Sequence, residues 1–256
     1  MHLNFNLSLA KDYKSPSQKI RILSEDWVES SIYCPNCGSI KIVRCANNNP
    51  VLDFYCKSCL ENYELKSKKD VLGDRVLDGA YQTKIERLSS NKNPNLFLLV
   101  YKKEYLEISD FIVVPKHFFI PKIVEKRKPL SSSARRAGWV GSNILLSRIP
   151  QFGKIFYVKN GKIEVKESVL SSWKKTVFLR KEKDFSTKGW LLDIMGCIEK
   201  LNKKEFTLNE MYSFEGYLSV LHPENRHIKE KIRQQLQILR DNNYIDFSGK
   251  GKYRLE

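Results

Sequence analysis

The sequence predicts a mixed α/β domain carrying a zinc-binding insert, followed by a winged-helix domain. Three observations carry that prediction. Compact apolar runs, "NLFLLVY" (95–101) and "FIVVP" (111–115), follow a helical segment at 79–90 and a strand at 62–68, a strand-helix-strand order that builds a mixed sheet. Two Cys-x-x-Cys pairs, Cys34/Cys37 and Cys56/Cys59, stand 18 residues apart. Beyond residue 184 the rhythm changes to three helical segments closed by a short hairpin.

In chain order, Ser15-Pro16 marks a helix start, and Ile20, Leu23 and Trp27 fall on one face of a helix over 16–30. Residues 33–61 form the Cys-rich insert. Residues 51–55 and 62–68 read as strands. The stretch 121–143, "PKIVEKRKPLSSSARRAGWVGSN", is basic, rich in Pro, Ser and Gly, and aperiodic, so a long surface loop is expected. Asn160-Gly161 between alternating arms marks a hairpin over 153–165. The domain break is set at 183/184. Helices are expected at 188–201, 207–221 and 225–241, then a two-stranded wing over 244–255 around Gly249-Lys250-Gly251.

Charge points to the partner. Lys and Arg outnumber Asp and Glu by 45 to 29, a net of +16, which suits a polyanion. Residues 1–183 hold 33 basic against 18 acidic residues. Residues 184–225 hold 4 against 7, whereas 226–256 hold 8 against 4, so the third helix and wing are the basic part of the second domain. The longest apolar run, Leu96 to Tyr101, is far too short for a membrane span, and no basic amphipathic helix dominates. The N-terminus lacks the pattern of a signal peptide, so a cytoplasmic protein is expected, with its six cysteines serving metal rather than disulfides.

The cysteine spacing is that of a four-cysteine structural zinc site with no open coordination position. Cys45 lies outside either pair and reads as a bystander, and Cys197 as a core residue. The acids around the second pair are more telling. Glu64 and Lys66, two apart on a strand, face the same side. If 51–55 pairs with 62–68, Asp53 joins them. Two carboxylates hold Mg²⁺ through hard oxygens, and a lysine serves the attacking water or the scissile phosphate. That is the layout of a PD-(D/E)xK restriction-endonuclease-like core. An acid plus Glu-x-Lys is common by chance, but here the cysteine pairs bracket it: zinc would staple the hairpin that sets Asp53 against Glu64.

The segments "YCPNCG", "NNNPVLDFYC", "ELKSKK", "DGAY", "ARRAGW", "VFLRK", "HIKEKIRQQLQILRD" and "GKGKYR" together resemble the DpnI-type methyl-directed restriction endonucleases over nearly the whole chain. The resemblance implies Mg²⁺-dependent cleavage of double-stranded DNA at GATC carrying N6-methyladenine, with both domains reading DNA. It places Asp53, Glu64 and Lys66 in the catalytic trio and Cys34, Cys37, Cys56 and Cys59 on zinc. Trp139 matches an aromatic of a DNA-facing loop, where Gly138 and Gly141 permit close approach and Arg135 and Arg136 hold phosphates. Lys229, Arg233, Gln234, Lys250 and Lys252 are the expected contacts of the winged helix, and a monomer in solution is expected. One departure is that the proline of the motif is Pro50, three residues before Asp53. The competing reading is a zinc-ribbon and winged-helix transcription regulator that binds DNA without cutting; it has no need of Asp53, Glu64 and Lys66. A nuclease of the same fold acting on unmethylated GATC is a third.

Overall fold

In the computed structural model, residues 1–45, 52–90 and 92–255 are described; Pro50 and Val51 of the sequence reading lie outside them. The chain divides into two compact units, Met1–Val177 and Phe178–Glu256.

The first unit begins with α1 (Pro16–Ser31), which buries Leu23, Trp27 and Val28. Trp27 meets Phe111 edge-on at 5.1 Å and donates its indole N–H to the His2 carbonyl at 2.8 Å. The strands β1 (Ile42–Arg44), β2 (Phe54–Cys56) and β3 (Asn62–Lys69) run as an antiparallel meander. The chain then makes β4 (Arg75–Ala80) and passes directly into α2 (Tyr81–Ser89). It returns as β5 (Asn95–Lys102), parallel to β3, with Glu64 opposite Leu96 and Lys66 opposite Leu98. Six successive buried residues, Asn95 to Val100, make β5 the covered centre of the sheet. β6 (Glu107–Val114) follows antiparallel to it.

Next come β7 (Val124–Lys126) and β8 (Gly141–Leu145), a hairpin that pairs with β4 in a separate three-stranded sheet. Residues 121–143 are therefore not one surface loop. The arms of this hairpin are too short to show a period of two, and their partner β4 is remote in sequence, so no local signal marks them. β9 (Ile155–Lys159) and β10 (Lys162–Ile163) close the main sheet, in the order β1-β2-β3-β5-β6-β9-β10, around Asn160 and Gly161, both at positive φ. α3 (Lys166–Lys174) then buries Val169 and Trp173.

The second unit contains α4 (Phe185–Leu201), capped by Asp184, whose carboxylate accepts the Thr187 N–H. Cys197 is fully buried there. β11 (Glu205–Thr207) precedes α5 (Leu208–Tyr212), which opens on a capping box between Thr207 and Glu210. α6 (Glu215–Leu221) is a separate helix, because the chain breaks at Ser213–Phe214; the single helix expected over 207–221 is thus two. α7 (Ile228–Asp241) buries Ile228, Ile232, Leu236 and Leu239 and exposes its other face. β12 (Ile245–Gly249) and β13 (Lys252–Leu255) form the wing, with β11 joined to β13. Among the described residues no helix is long and apolar enough to cross a membrane.

Candidate active site and zinc centre

The two cysteine pairs fold as matching turns. Cys34 N–H donates to the Ser39 carbonyl and its own carbonyl accepts from Gly38, each at 2.8 Å. Cys56 N–H donates to Glu61 and its carbonyl accepts from Leu60, each at 2.9 Å. Gly38 and Leu60 occupy the same place in the two turns, and both lie at positive φ (75° and 59°). The turns bring four sulfurs within 4.8 Å of one another, with Cys34–Cys59 at 3.5 Å and Cys37–Cys56 at 3.6 Å. Four thiolates about 2.3 Å from zinc stand about 3.8 Å apart in a tetrahedron, so the cluster is of the size a zinc ion needs. Cys45 is not one of the four.

The second turn is also the turn of the β2–β3 hairpin, and it delivers the acids. Asp53, at the entrance to β2, donates its N–H to the Tyr63 carbonyl at 3.0 Å. Its carboxylate accepts the Leu65 N–H at 2.7 Å, taking the place of the strand partner that β3 lacks there. Burial pushes the Asp53 pKa up, opposed by the Leu65 N–H and by Lys66. Glu25 of α1, itself buried and paired with Arg21 (2.6 Å) and Arg44 (3.1 Å), adds a weaker upward push.

On the adjoining face Lys66 Nζ reaches Glu64 Oε1 at 2.5 Å and Asp78 Oδ1 at 3.0 Å. Lys84 Nζ reaches Asp78 Oδ2 at 2.9 Å and lies 3.5 Å from Glu64 Oε2. Burial raises the Glu64 pKa, and Asp78 adds to the rise, while Lys84 and Lys66 oppose it. For Lys66, burial would lower the pKa, but Glu64 and Asp78 outweigh it and the ammonium is held above its ordinary range. For Asp78, burial is outweighed by Lys84 and Lys66, and its pKa falls.

The strand pairing thus places Glu64 and Lys66 in contact and sets Asp53 on the N–H of the residue between them. Asp78 and Lys84 were missed by the sequence reading. Their signal was faint: Lys84 and Leu88, one turn apart, both point inward on α2, and a lysine on a buried helix face requires a buried acid.

Elsewhere in the first unit, the β7–β8 hairpin stays paired well beyond its strands. Arg127 N–H donates to Gly141, Leu130 N–H to Trp139, and Gly138 N–H to Leu130, each at 3.0 Å. Trp139 is half-buried and lies outside the core. The Arg136 guanidinium sits 4.5 Å from the Trp139 ring centre. A Cβ at Gly141 would come within 2.7 Å of that ring, so the glycine makes room for it. Arg135 and Arg136 are exposed. In the second unit Lys229, Arg233, Gln234, Lys250 and Lys252 are all exposed. Lys229 pairs with Glu215 at 3.3 Å, and Arg233 donates to the Tyr212 hydroxyl at 2.7 Å and pairs with Glu230 at 3.1 Å.

The family described as DpnI, Dam-replacing family, matches residues 1–182. The Dam-replacing HTH domain matches residues 186–255.

Proposed function

The chain belongs to the DpnI Dam-replacing family, and on that premise we propose that it is a Mg²⁺-dependent endonuclease that hydrolyses DNA at GATC sites bearing N6-methyladenine. Family membership supports a methyl-directed restriction endonuclease in the broad sense and a DNA partner. The observation that carries the catalytic reading is Glu64 in contact with Lys66 on β3, with Asp53 docked on the Leu65 N–H between them.

The donor set suits Mg²⁺. Asp53 and Glu64 offer hard carboxylate oxygens, and Glu64 Oε2 is buried without a hydrogen bond. The Leu65 carbonyl shares the open edge of β3 with its N–H, since both groups of a strand residue point the same way. These three groups would hold the ion. Bound Mg²⁺ would polarise the scissile phosphate and acidify an attacking water. Lys66 contributes charge rather than a base. Its ammonium is stabilised by Glu64 and Asp78, so it stays protonated at neutral pH and offsets the charge that grows on phosphorus-bound oxygen. The basic hairpin loop with Arg135, Arg136 and Trp139, and the α7–wing surface with Lys229, Arg233, Gln234, Lys250 and Lys252, supply the phosphate and base contacts.

The test is digestion of one plasmid, adenine-methylated or unmethylated at GATC, with and without Mg²⁺. Cutting only of the methylated form with Mg²⁺ is expected. Retention of DNA without any cutting would favour a regulator, and equal cutting of both forms would remove the methyl from the reading.

A further inference from the structure

Lys84 has no role in the reading above and Asp78 enters it only as a neighbour of Lys66, yet the two are the most buried members of a four-charge ring. Their side chains are 2% and 4% exposed, against 6% for Glu64 and 25% for Lys66. Signs alternate around the ring, Glu64–Lys66–Asp78–Lys84, and the sum is neutral. The four contacts are unequal. Asp78 meets a different lysine with each oxygen, at 3.0 and 2.9 Å. Lys84 lies 2.9 Å from Asp78 but 3.5 Å from Glu64; neither of those two carboxylate oxygens makes a well-aligned hydrogen bond, so the difference lies in the length of the ion pairs.

This inequality decides which acid is free to move. A buried ammonium left without a partner is costly, so a carboxylate cannot abandon two lysines unless another anion keeps them. Asp78 already keeps both. It is built into β4. Lys84 is fixed from α2, with its Nζ 5.2 Å from the Phe119 ring centre. Of the two acids, Glu64 has the oxygen with the longer lysine contact, and so the weaker hold to give up.

We propose that Asp78 is a positioning residue that holds Lys66 and Lys84 when Glu64 turns to ligate Mg²⁺, and that Lys84 balances Asp78 before the metal enters. The proposal rests on Glu64 being a metal ligand. Asp78 itself does not ligate, because both its oxygens are spent on lysines. Without Asp78, Glu64 is trapped between two ammonium groups and the cation must compete with both.

The experiment titrates Mn²⁺ into zinc-loaded full-length protein and follows free Mn²⁺ by its electron paramagnetic resonance signal. Wild type binds and Glu64→Gln does not. Asp78→Asn should bind at least tenfold more weakly, the scale of lost outer support at a metal site, and should need at least tenfold more Mg²⁺ for half-maximal cleavage, with KM for DNA unchanged. The double variant Asp78→Asn/Lys84→Met removes one charge of each sign and leaves Glu64 with Lys66 alone. It should recover Mn²⁺ binding to within about threefold of wild type, whereas a purely structural pair would lose more on the second substitution. Should Asp78→Asn fail to fold, the double variant alone carries the test. Wild-type Mn²⁺ affinity in Asp78→Asn, or a double variant weaker than the single, would overturn the proposal and leave the metal site standing. Wild-type affinity in Glu64→Gln would overturn both.

Discussion

The hydroxyl of Tyr63 lies 3.1 Å from the sulfur of Cys34. Burial, and then the Cys34 sulfur, push the Tyr63 pKa up, so the hydroxyl keeps its proton and would donate it to a zinc-bound Cys34 thiolate. The same residue accepts the Asp53 N–H on its carbonyl, is bonded to Glu64, and stacks on Phe97 with centroids 4.3 Å apart. One fully buried side chain therefore joins the cysteine cluster to the strand that bears the acids. Tyr63→Phe keeps the stacking and removes only the bond to sulfur. Zinc release to a chromophoric chelator should quicken about 10-fold or more, as for other outer-shell partners of metal ligands. An unchanged release rate would mean that the hydroxyl does not support the centre.

The cysteine centre has an optical reporter. The Trp173 indole N–H donates to Asn36 Oδ1 at 2.9 Å, and Asn36 lies between Cys34 and Cys37. Stripping zinc, or Cys56→Ser, should loosen that turn and change tryptophan emission, and cleavage should fall with it because the β2–β3 hairpin loses its staple. Trp173→Phe should abolish most of the emission change. An emission change that persists in Trp173→Phe would place the disturbance elsewhere.

The catalytic acids should separate from DNA binding. Asp53→Ala and Glu64→Ala each remove a carboxylate and no exposed basic residue. Cleavage should drop by roughly 10²-fold or more, the cost of losing one group that stabilises transition-state charge, while retention of a methylated GATC duplex in gel shifts persists. Mg²⁺-dependent cutting at the wild-type rate by Asp53→Ala would remove Asp53 from the site.

Asp53 also sets a pH dependence. Its pKa is raised by burial, so the folded state binds its proton more tightly than the unfolded state does. Its contribution favours folding below the ordinary carboxylate pKa and is lost as pH rises through the folded value, so the ionised acid is a burden in Mg²⁺-free protein at pH 7. Asp53→Asn should therefore raise the thermal midpoint there, with the gain shrinking as pH falls through the folded value and gone at the ordinary carboxylate pKa of about 4. A lower midpoint at pH 7 would show that the Leu65 N–H bond outweighs burial.

Signals that are local in sequence were legible. The cysteine spacing gave the four-cysteine cluster, Asn160-Gly161 gave the β9–β10 hairpin, and the two-residue step from Glu64 to Lys66 gave their contact. What stayed hidden depends on partners far along the chain. β4 does not read as a strand, and its last two residues, Gly79 and Ala80, fall in the helix expected over 79–90, because its ladder is formed with the remote β8. Asp78, carried on β4, was invisible for that reason, and Lys84 with it. The break between α5 and α6 lies in an apolar-periodic stretch; the Thr207/Glu210 box marks the start of α5, and no side-chain cap marks the start of α6.

Methyl reading should depend on Trp139. Burying one methyl is worth about 0.8 kcal/mol, and the two methyls of a fully modified site about 1.6 kcal/mol, or some fifteenfold. Sparing unmodified DNA needs more than that, so the methyls require a surface shaped to them. The Trp139 ring qualifies: Gly141 makes room beside it, the Arg136 guanidinium lies near it, and the bonds of Leu130 with Trp139 and Gly138 hold the loop. It is half-buried and outside the core, so Trp139→Ala should cost little stability. The ratio of cleavage rates on fully methylated and unmethylated GATC should fall at least tenfold in Trp139→Ala, with a smaller fall in Trp139→Phe, which keeps an aromatic face. A hemimethylated duplex should lie between the two in wild type and approach the unmethylated rate in Trp139→Ala. An unchanged ratio would move the methyl reader to the α7 and wing surface, where the same three duplexes would then be compared for Arg233→Ala and Gln234→Ala.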